Sequence, residues 1–426
     1  MAREMKDSGI EWFGKIPSDW EIIAIKRKFT LFAGATPKSE IPENWDGDIV
    51  WITPADYKTI DKYVSQGKRN ISELGLSSCS ATLVPSKSII FSKRAPIGSV
   101  AMNSVPLCTN QGCISSVPKN GVNAVFYYYM MSIYTEQFEL YSAGTTFKEI
   151  SANNFGNFKI VFPPFHEQKK IIDYLDKKCE EIDSLSLDIQ SQISILEDYK
   201  KSVITEAVTE GLNPDVEMKE SGIAWVSTAP IHWILSKIKY EILPLQHPVH
   251  SDDLVMTCFR DGEVTLRQNR REDGFTISFT ENGYQGVEVG DLVIHGMDAF
   301  AGAIGCSDSR GKITPVVHVC KTTGNNRFFM YMLRSMAMND VFMNYAEGIR
   351  VRSSDFRNFN KLGKFPIVVP PINEQNEIVA YLDEKYEKIE SIIAQKKEQL
   401  LVIADYKKSL IYEYVTGKKE VPDNNG

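Results

Sequence analysis

The stretch Arg267-Gln268-Asn269-Arg270-Arg271 concentrates side chains suited to one chemistry. A guanidinium presents two parallel donors that match the O6/N7 edge of guanine, and a Gln or Asn amide presents the donor–acceptor pair that matches adenine. The five residues lie between a strand-like Glu263-Val-Thr-Leu266 and the acidic turn Glu272-Asp273-Gly274, a setting that suits readout of bases in a major groove. The competing reading is a solvated loop whose cations pair with Glu272 and Asp273. Lys93-Arg94, after the strand-like Ser88–Phe91, suits contact with phosphates, which positions a duplex without specifying its sequence. Asn110-Gln111, beside Thr109, carry base-reading amides near a strand end. Lys148 and the pair Arg350 and Arg352 sit in matching Gly-led stretches, each ahead of a long helical segment. An exposed turn is the alternative for Lys93 and Arg94, and an intradomain ion pair for Lys148, Arg350 and Arg352.

Strings that imitate catalytic motifs fail on their residues. Phe162-Pro-Pro-Phe165 is close to the Asn/Asp-Pro-Pro-Tyr/Phe signature of amino-methyltransferases, but Phe162 cannot accept a hydrogen bond from a target amine. The second copy reads Val369-Pro-Pro-Ile372, so punctuation at a helix start accounts for both. Gly305 to Lys312 has the wrong glycine spacing for a phosphate-binding loop, and Ile313 stands where a magnesium-binding hydroxyl belongs. His247 and His250 flank Pro248 with no Cys nearby, so no metal site is expected. Tyr127, Tyr128 and Tyr129 could stack on bases, but with Phe126, Met130 and Met131 alongside they read as a helix packed in a core.

The elements that must hold the candidate readers come twice. Met5-Lys-Asp-Ser-Gly-Ile-Glu-Trp12 returns as Met218-Lys-Glu-Ser-Gly-Ile-Ala-Trp225, and Pro17 and Trp20 return as Pro230 and Trp233, all at an offset of 213. Gly156 to Gln168 returns as Gly363 to Gln375 at an offset of 207, as do Tyr174-Leu-Asp176 and Asp198-Tyr-Lys-Lys-Ser202. A period this long is one module used twice, not a solenoid. The tryptophans at each module entrance are expected to anchor the domain structurally. Within the modules, Asp48–Thr53, Ser88–Phe91 and Gly290–His295 read as strands, and residues 124–140 and 328–345 as helices.

After Pro163-Pro164 the pattern becomes heptad. Leu175, Ile182, Ile189, Leu196 and Val203 recur every seventh residue, with Cys179, Leu185, Ile193 and Tyr199 between them. In the second copy Leu382, Ile389, Ile403 and Leu410 hold the corresponding places, Lys396 breaks the series, and Ile392, Ile393, Leu400 and Tyr406 fill the intervening stripe. Sustained heptads predict a coiled coil. A helix of some 45 residues is about 67 Å long, too long to bury against one globular domain, so the two are expected to pack on each other, antiparallel. The fold class predicted is α+β: two pseudo-twofold-related domains joined by two long helices.

Bulk properties fit this picture. At 43% hydrophobic and 24% charged residues the chain reads as globular, with a polar N-terminus and no run able to span a bilayer. The seven scattered cysteines read as reduced thiols of a cytoplasmic protein. The net charge of −7 looks wrong for a nucleic-acid partner, yet it resides wholly in the two helical segments, 166–210 and 374–420. The remainder balances at 34 acids and 34 bases, so local patches decide what is bound.

The Ser-Gly-Ile-x-Trp…Pro-x-x-Trp opening, the Pro-Pro-x-x-Glu-Gln helix start and the duplicated Tyr-Leu-Asp helices resemble the specificity subunit of type I restriction–modification enzymes. The resemblance implies target-recognition domains at 1–160 and 216–365, and long-helix spacers at 161–215 and 366–426. It implies a non-catalytic subunit that binds double-stranded DNA, each recognition domain reading one half of a split, asymmetric site. Two methyltransferase subunits would dock on the spacer, and restriction/translocase subunits would join them. S-adenosylmethionine, ATP and Mg2+ would be used by those partners, with no cofactor in this chain and no membrane association. The alternative is an adaptor whose coiled coil recruits partners while its recognition domains have degenerated.

Overall fold

The computed structural model describes residues 3–58, 62–94, 96–142, 148–270, 282–344 and 356–422. The chain divides into two compact units, one of Met1–Asp188 with Glu398–Gly426 and the other of Ile189–Lys397. Both boundaries fall inside the long helices, Phe165–Thr209 and Ile372–Val415, so each unit holds part of both helices.

The first unit opens with a hairpin of Met5–Asp7 and Lys15–Pro17, followed by Glu21–Ala24, which pairs antiparallel with Lys159–Phe162. Between these partners lies a sheet in the order Phe29–Ala33, Cys113–Pro118, Ile89–Lys93, Ile97–Asn103, with Tyr63–Val64 added in parallel at the edge. A smaller sheet brings Trp45–Ile52 between Arg69–Ile71 and Cys108–Thr109. The expected strands at 48–53 and 88–91 are therefore present. The expected helix at 124–140 is split into Ala124–Ser132 and Thr135–Leu140. Tyr134, fully buried, turns inward at the break and meets Phe13 edge-on at 5.3 Å, so tertiary packing overrides the helical pattern.

The second unit repeats the plan. A hairpin of Met218–Ile223 and Val226–Pro230 precedes Ile234–Lys237, which pairs antiparallel with Pro366–Val369. The sheet between them runs Ile242–Pro244, Val317–Thr322, Leu292–His295, Ile304–Cys306. This is the strand order of the first unit despite low sequence identity. Asn326–Met338 supplies the core helix, and Asp340 at φ 56° ends it before Val341–Asn344. That left-handed turn breaks the single helix expected over 328–345.

The long helices run antiparallel within each unit. In the first unit Tyr414 donates to Tyr174 at 3.2 Å and Lys407 pairs with Asp183 at 2.6 Å. In the second, Lys396 donates to Gln192 at 2.5 Å and Lys200 pairs with Glu390 at 2.5 Å. In each case the residue number rises along one helix as it falls along the other. Leu175, Ile189, Val203, Leu382, Ile389 and Leu410 are buried, while Ile182, Leu196 and Ile403 are half-buried. The intervening stripe is only partly covered. Cys179, Ile193 and Ile393 are buried, but Leu185, Tyr199, Ile392 and Tyr406 are exposed. The expectation that the helices bury mainly on each other is also too simple. Ile171, Ile172, Leu175 and Cys179 join the core that holds Phe13, Trp20 and Tyr127, and Val203, Ile204, Ala207 and Val208 join the core that holds Trp233.

Candidate nucleic-acid interface

The repeated residues prove to be a joint between globular module and helix. Trp20, fully buried, donates from Nε1 to Glu167 at 2.8 Å, and Trp233 donates to Glu374 at 2.9 Å. Each carboxylate stands in the first turn of its helix, where the helix dipole also favours negative charge. The neighbouring amide ties the core helix in. Gln168 accepts from the Asn123 N–H at 2.9 Å and donates to the Pro163 carbonyl at 2.9 Å. Gln375 accepts from the Asn325 N–H at 2.8 Å and donates to the Pro370 carbonyl at 2.9 Å. Both amides are buried, so every such bond replaces a costly orphan. Two turns on, Asp176 accepts from the Tyr129 hydroxyl and Lys62 Nζ, both at 2.6 Å. Asp383 accepts from Tyr331 at 2.7 Å and Arg327 at 2.6 Å. Burial, then the carboxylate bond, pushes both tyrosine hydroxyls well above their ordinary range, fixing them as donors. The sequence marked the tryptophans as anchors, which Trp20 and Trp233 are, but gave the amides and aspartates only as repeats; the signal was that acids and amides recur where apolar residues would have served a helix alone.

The candidate readers occupy loops carried by this frame. Arg267–Asn269 form a 3-10 turn directly after the strand Val264–Leu266. Arg267 Nε donates to Thr257 Oγ1 at 3.4 Å and Asn269 Nδ2 donates to Thr265 Oγ1 at 2.9 Å, while Gln268 is exposed. Arg270 pairs with Asp261 at 2.5 Å and Glu263 at 3.0 Å and lies 4.2 Å from the Phe259 ring centre. Arg271, with Glu272 and Asp273, lies outside the described residues, as do Arg350 and Arg352. The partners of Arg270 thus lie before it in the chain, in the turn Asp261-Gly262-Glu263.

In the first unit three separately chosen segments meet at one end of the sheet. The Lys93 N–H donates to the Gly112 carbonyl at 2.9 Å, and the Lys93 carbonyl accepts from the Ile150 N–H at 3.0 Å. Arg94 and Glu149 form an antiparallel bridge. Lys93, Arg94, Asn110, Gln111 and Lys148 therefore belong to one surface region. Glu149 holds Lys93 at 2.7 Å and Arg94 at 3.7 Å, and Glu139 lies 3.5 Å from Lys148. Asn110 Oδ1 accepts from the Gly112 N–H at 2.9 Å, and Gln111 accepts from the Thr36 hydroxyl. These cations are tethered by carboxylates at part-exposed positions, where ion pairs are weak enough to exchange for another anion.

Burial pushes the Cys108 thiol up to about 11 and those of Cys113, Cys258, Cys306 and Cys320 up to about 12, which leaves them protonated and unreactive at neutral pH. Among the described residues no three His, Cys, Asp or Glu side chains gather as metal ligands, and no helix is long and apolar enough to cross a membrane.

Two α+β modules, each docked on a long helix and presenting polar loops, define a duplicated two-module architecture. Residues 17–194 match the family described as "Type I restriction modification DNA specificity domain". The type I restriction enzyme MjaIX specificity subunit of Methanocaldococcus jannaschii is 39% identical over 183 residues, covering 42% of this chain and 42% of that protein. The StySPI specificity subunit of Salmonella potsdam is 21% identical over 95% of this chain and 90% of its own length. A solved chain from work on complex assembly and conformational transition of the type I R-M system superposes with a TM-score of 0.68 at 13% identity. It covers 95% of this chain and 99% of that one, and shows the same fold. The chain is thus similar to type I restriction enzyme specificity subunits, and it spans less than half the length of the first of these relatives.

Proposed function

We propose that this chain is the DNA-reading subunit of a type I restriction–modification complex. Its modules at 1–160 and 216–365 each read one half of a split, asymmetric site in double-stranded DNA. The helical segments at 161–215 and 366–426 set the gap between the halves and dock two methyltransferase subunits, to which restriction/translocase subunits are added. The chain itself is non-catalytic. S-adenosylmethionine, ATP and Mg2+ are used by the partner subunits, and adenines extruded from the duplex are methylated there.

The observation that carries this reading is the repeated joint, in which Trp20–Glu167–Gln168–Asp176 recurs as Trp233–Glu374–Gln375–Asp383. Two modules fixed in the same way to long helices suit a two-part target. The readers at the sheet ends are Arg267 to Arg270 in the second module and Lys93, Arg94, Asn110, Gln111 and Lys148 in the first, and the sequence adds Arg271, Arg350 and Arg352 as readers. The test is adenine-methylation mapping in a host that expresses the chain with its methyltransferase. A split motif with a fixed gap, lost on deletion of the gene, is expected. A stable complex that yields no motif would favour an adaptor instead.

A further inference from the structure

Behind the Arg270 loop lies a cavity of about 550 Å3 within the second unit, walled by the turn Asp261-Gly262-Glu263, the core helix and both long helices. Arg334 projects into it from the core helix. The residue is only 7% exposed, and its Nε meets no hydrogen-bond partner among the described residues. Its guanidinium stands 6.0 Å from the Tyr386 ring centre and acts on Asp261 through space, but a buried charge without a direct ion pair remains costly. Three of the carboxylates around it are already engaged, and Glu197 also lines the cavity. Glu390 takes Lys200 at 2.5 Å, while Asp261 and Glu263 take Arg270 at 2.5 and 3.0 Å. Only Gly262 separates these last two, and its backbone is pressed on the guanidinium. A Cβ at Gly262 would stand 1.3 Å from Arg334 Nη1, and its φ of +92° also suits glycine. At the corresponding place in the first unit, three residues after the tyrosine that donates to the spacer carboxylate, stands Ser132, which donates to the Tyr129 carbonyl at 2.8 Å. The cation at this place belongs to the second unit.

We propose that Arg334 is a positioning residue for DNA reading: it receives the carboxylate of Asp261 or Glu263 when Arg270 leaves them for DNA. The inference rests on the DNA-reading function proposed above. In the free protein Arg270 holds both carboxylates in ion pairs, and Arg334 has only the weaker through-space attraction of Asp261. When a phosphate or base edge takes Arg270, a carboxylate crosses one glycine to the waiting guanidinium. Two charges that would be stranded are paired with each other, and Arg270 is released at lower cost. Arg334 thereby favours the bound state without touching DNA, as any group with differential interaction between two states must.

The experiment measures binding of the full chain, assembled with its methyltransferase, to a duplex carrying the mapped site and to a scrambled duplex. Arg334→Met is expected to weaken binding to the site by about tenfold, within the ordinary range of coupling between linked groups, and Arg334→Lys to restore most of it. Asp261→Asn with Glu263→Gln leaves Arg270 untethered, so it should tighten binding and abolish any further effect of Arg334→Met. An Arg334→Met complex that binds like wild type, or a penalty that persists in the Asp261→Asn/Glu263→Gln background, overturns the proposal. Should Arg334→Met fail to fold, the carboxylate double variant decides alone, and unchanged affinity overturns the exchange. Arg270→Ala separates the two levels. If it weakens site binding while Arg334→Met does not, only the exchange falls; if Arg270→Ala has no effect, the reading role of this loop falls with it.

Discussion

The two units share their joint and differ at their reading ends. In both, an indole donates to a first-turn glutamate, a glutamine caps the core helix, and a tyrosine donates to an aspartate two turns on. At the sheet ends the likeness stops. The first unit binds Lys93 and Arg94 to the single carboxylate of Glu149, whereas the second holds Arg270 between Asp261 and Glu263 with the Arg334 Nε unbonded behind them. What must be fixed for two modules to stand on helices in the same way has been kept twice. The ends proposed to read different half-sites differ. Loops on a rigid scaffold are where such divergence is tolerated, since their backbone is on the surface and contributes little to the core.

The comparison is broken most forcefully at the joint. Trp20→Ala and Trp233→Ala each remove a side chain with almost no exposed surface, and each should cost about 3–5 kcal/mol by cavity formation and lost burial. Calorimetry should show similar losses for the two. A large loss for one and none for the other would mean that the joints are not equivalent.

Arg270→Ala sharpens the difference between the units. It is expected to cost about 1–3 kcal/mol of binding to the half-site read by the second module if Arg270 contacts a base. The loss should be uniform across sequences, with the salt slope reduced by about one, if it contacts a phosphate. Titration of methylated-site binding against salt distinguishes the two. The tether on Arg270 also has a pH signature. Burial alone would raise the Asp261 carboxyl, but the Arg270 bond and the Glu263 N–H outweigh it and hold the carboxyl below its ordinary range. The pairing therefore contributes fully above the ordinary carboxylate pKa of about 4 and is lost only as pH falls through the depressed folded value. From pH 5 to 8 the stability of the second unit should owe no slope to Asp261.

Smaller effects are expected along the helices. Asp176→Asn and Asp383→Asn weaken charge-assisted bonds at part-exposed sites, and each should cost about 1 kcal/mol or less. Tyr406→Ser, at an exposed position of the heptad stripe, should change stability by less than about 0.5 kcal/mol. Chemical denaturation of each variant provides the check, and a large loss for Tyr406→Ser would show that this side chain is covered.

The duplicated architecture was legible because repetition reports it directly: Met5–Trp12 against Met218–Trp225, and Gly156–Gln168 against Gly363–Gln375. Both core helices were also legible from their apolar pattern. Their breaks at Tyr134 and Asp340 were not, since they depend on a distant packing partner and on a left-handed turn. The heptads gave the pairing of the long helices but overstated its width. Leu185, Tyr199, Ile392 and Tyr406 fit the pattern and remain exposed, because a two-helix seam covers a narrower stripe than the sequence offers. At the sites, side-chain types marked Arg270 but not its partners. Asp261 and Glu263 lie on its N-terminal side, and Arg334 is brought to them only by the fold.

The central claim is that each module reads its own half of one site across a gap set by the helices. The most direct measurement is a methylome from a host in which residues 230–360 are exchanged for the corresponding segment of a relative, with the methyltransferase unchanged. The account predicts a motif with one half replaced and the other half and the gap length retained. A motif altered in both halves, or a changed gap, would contradict it.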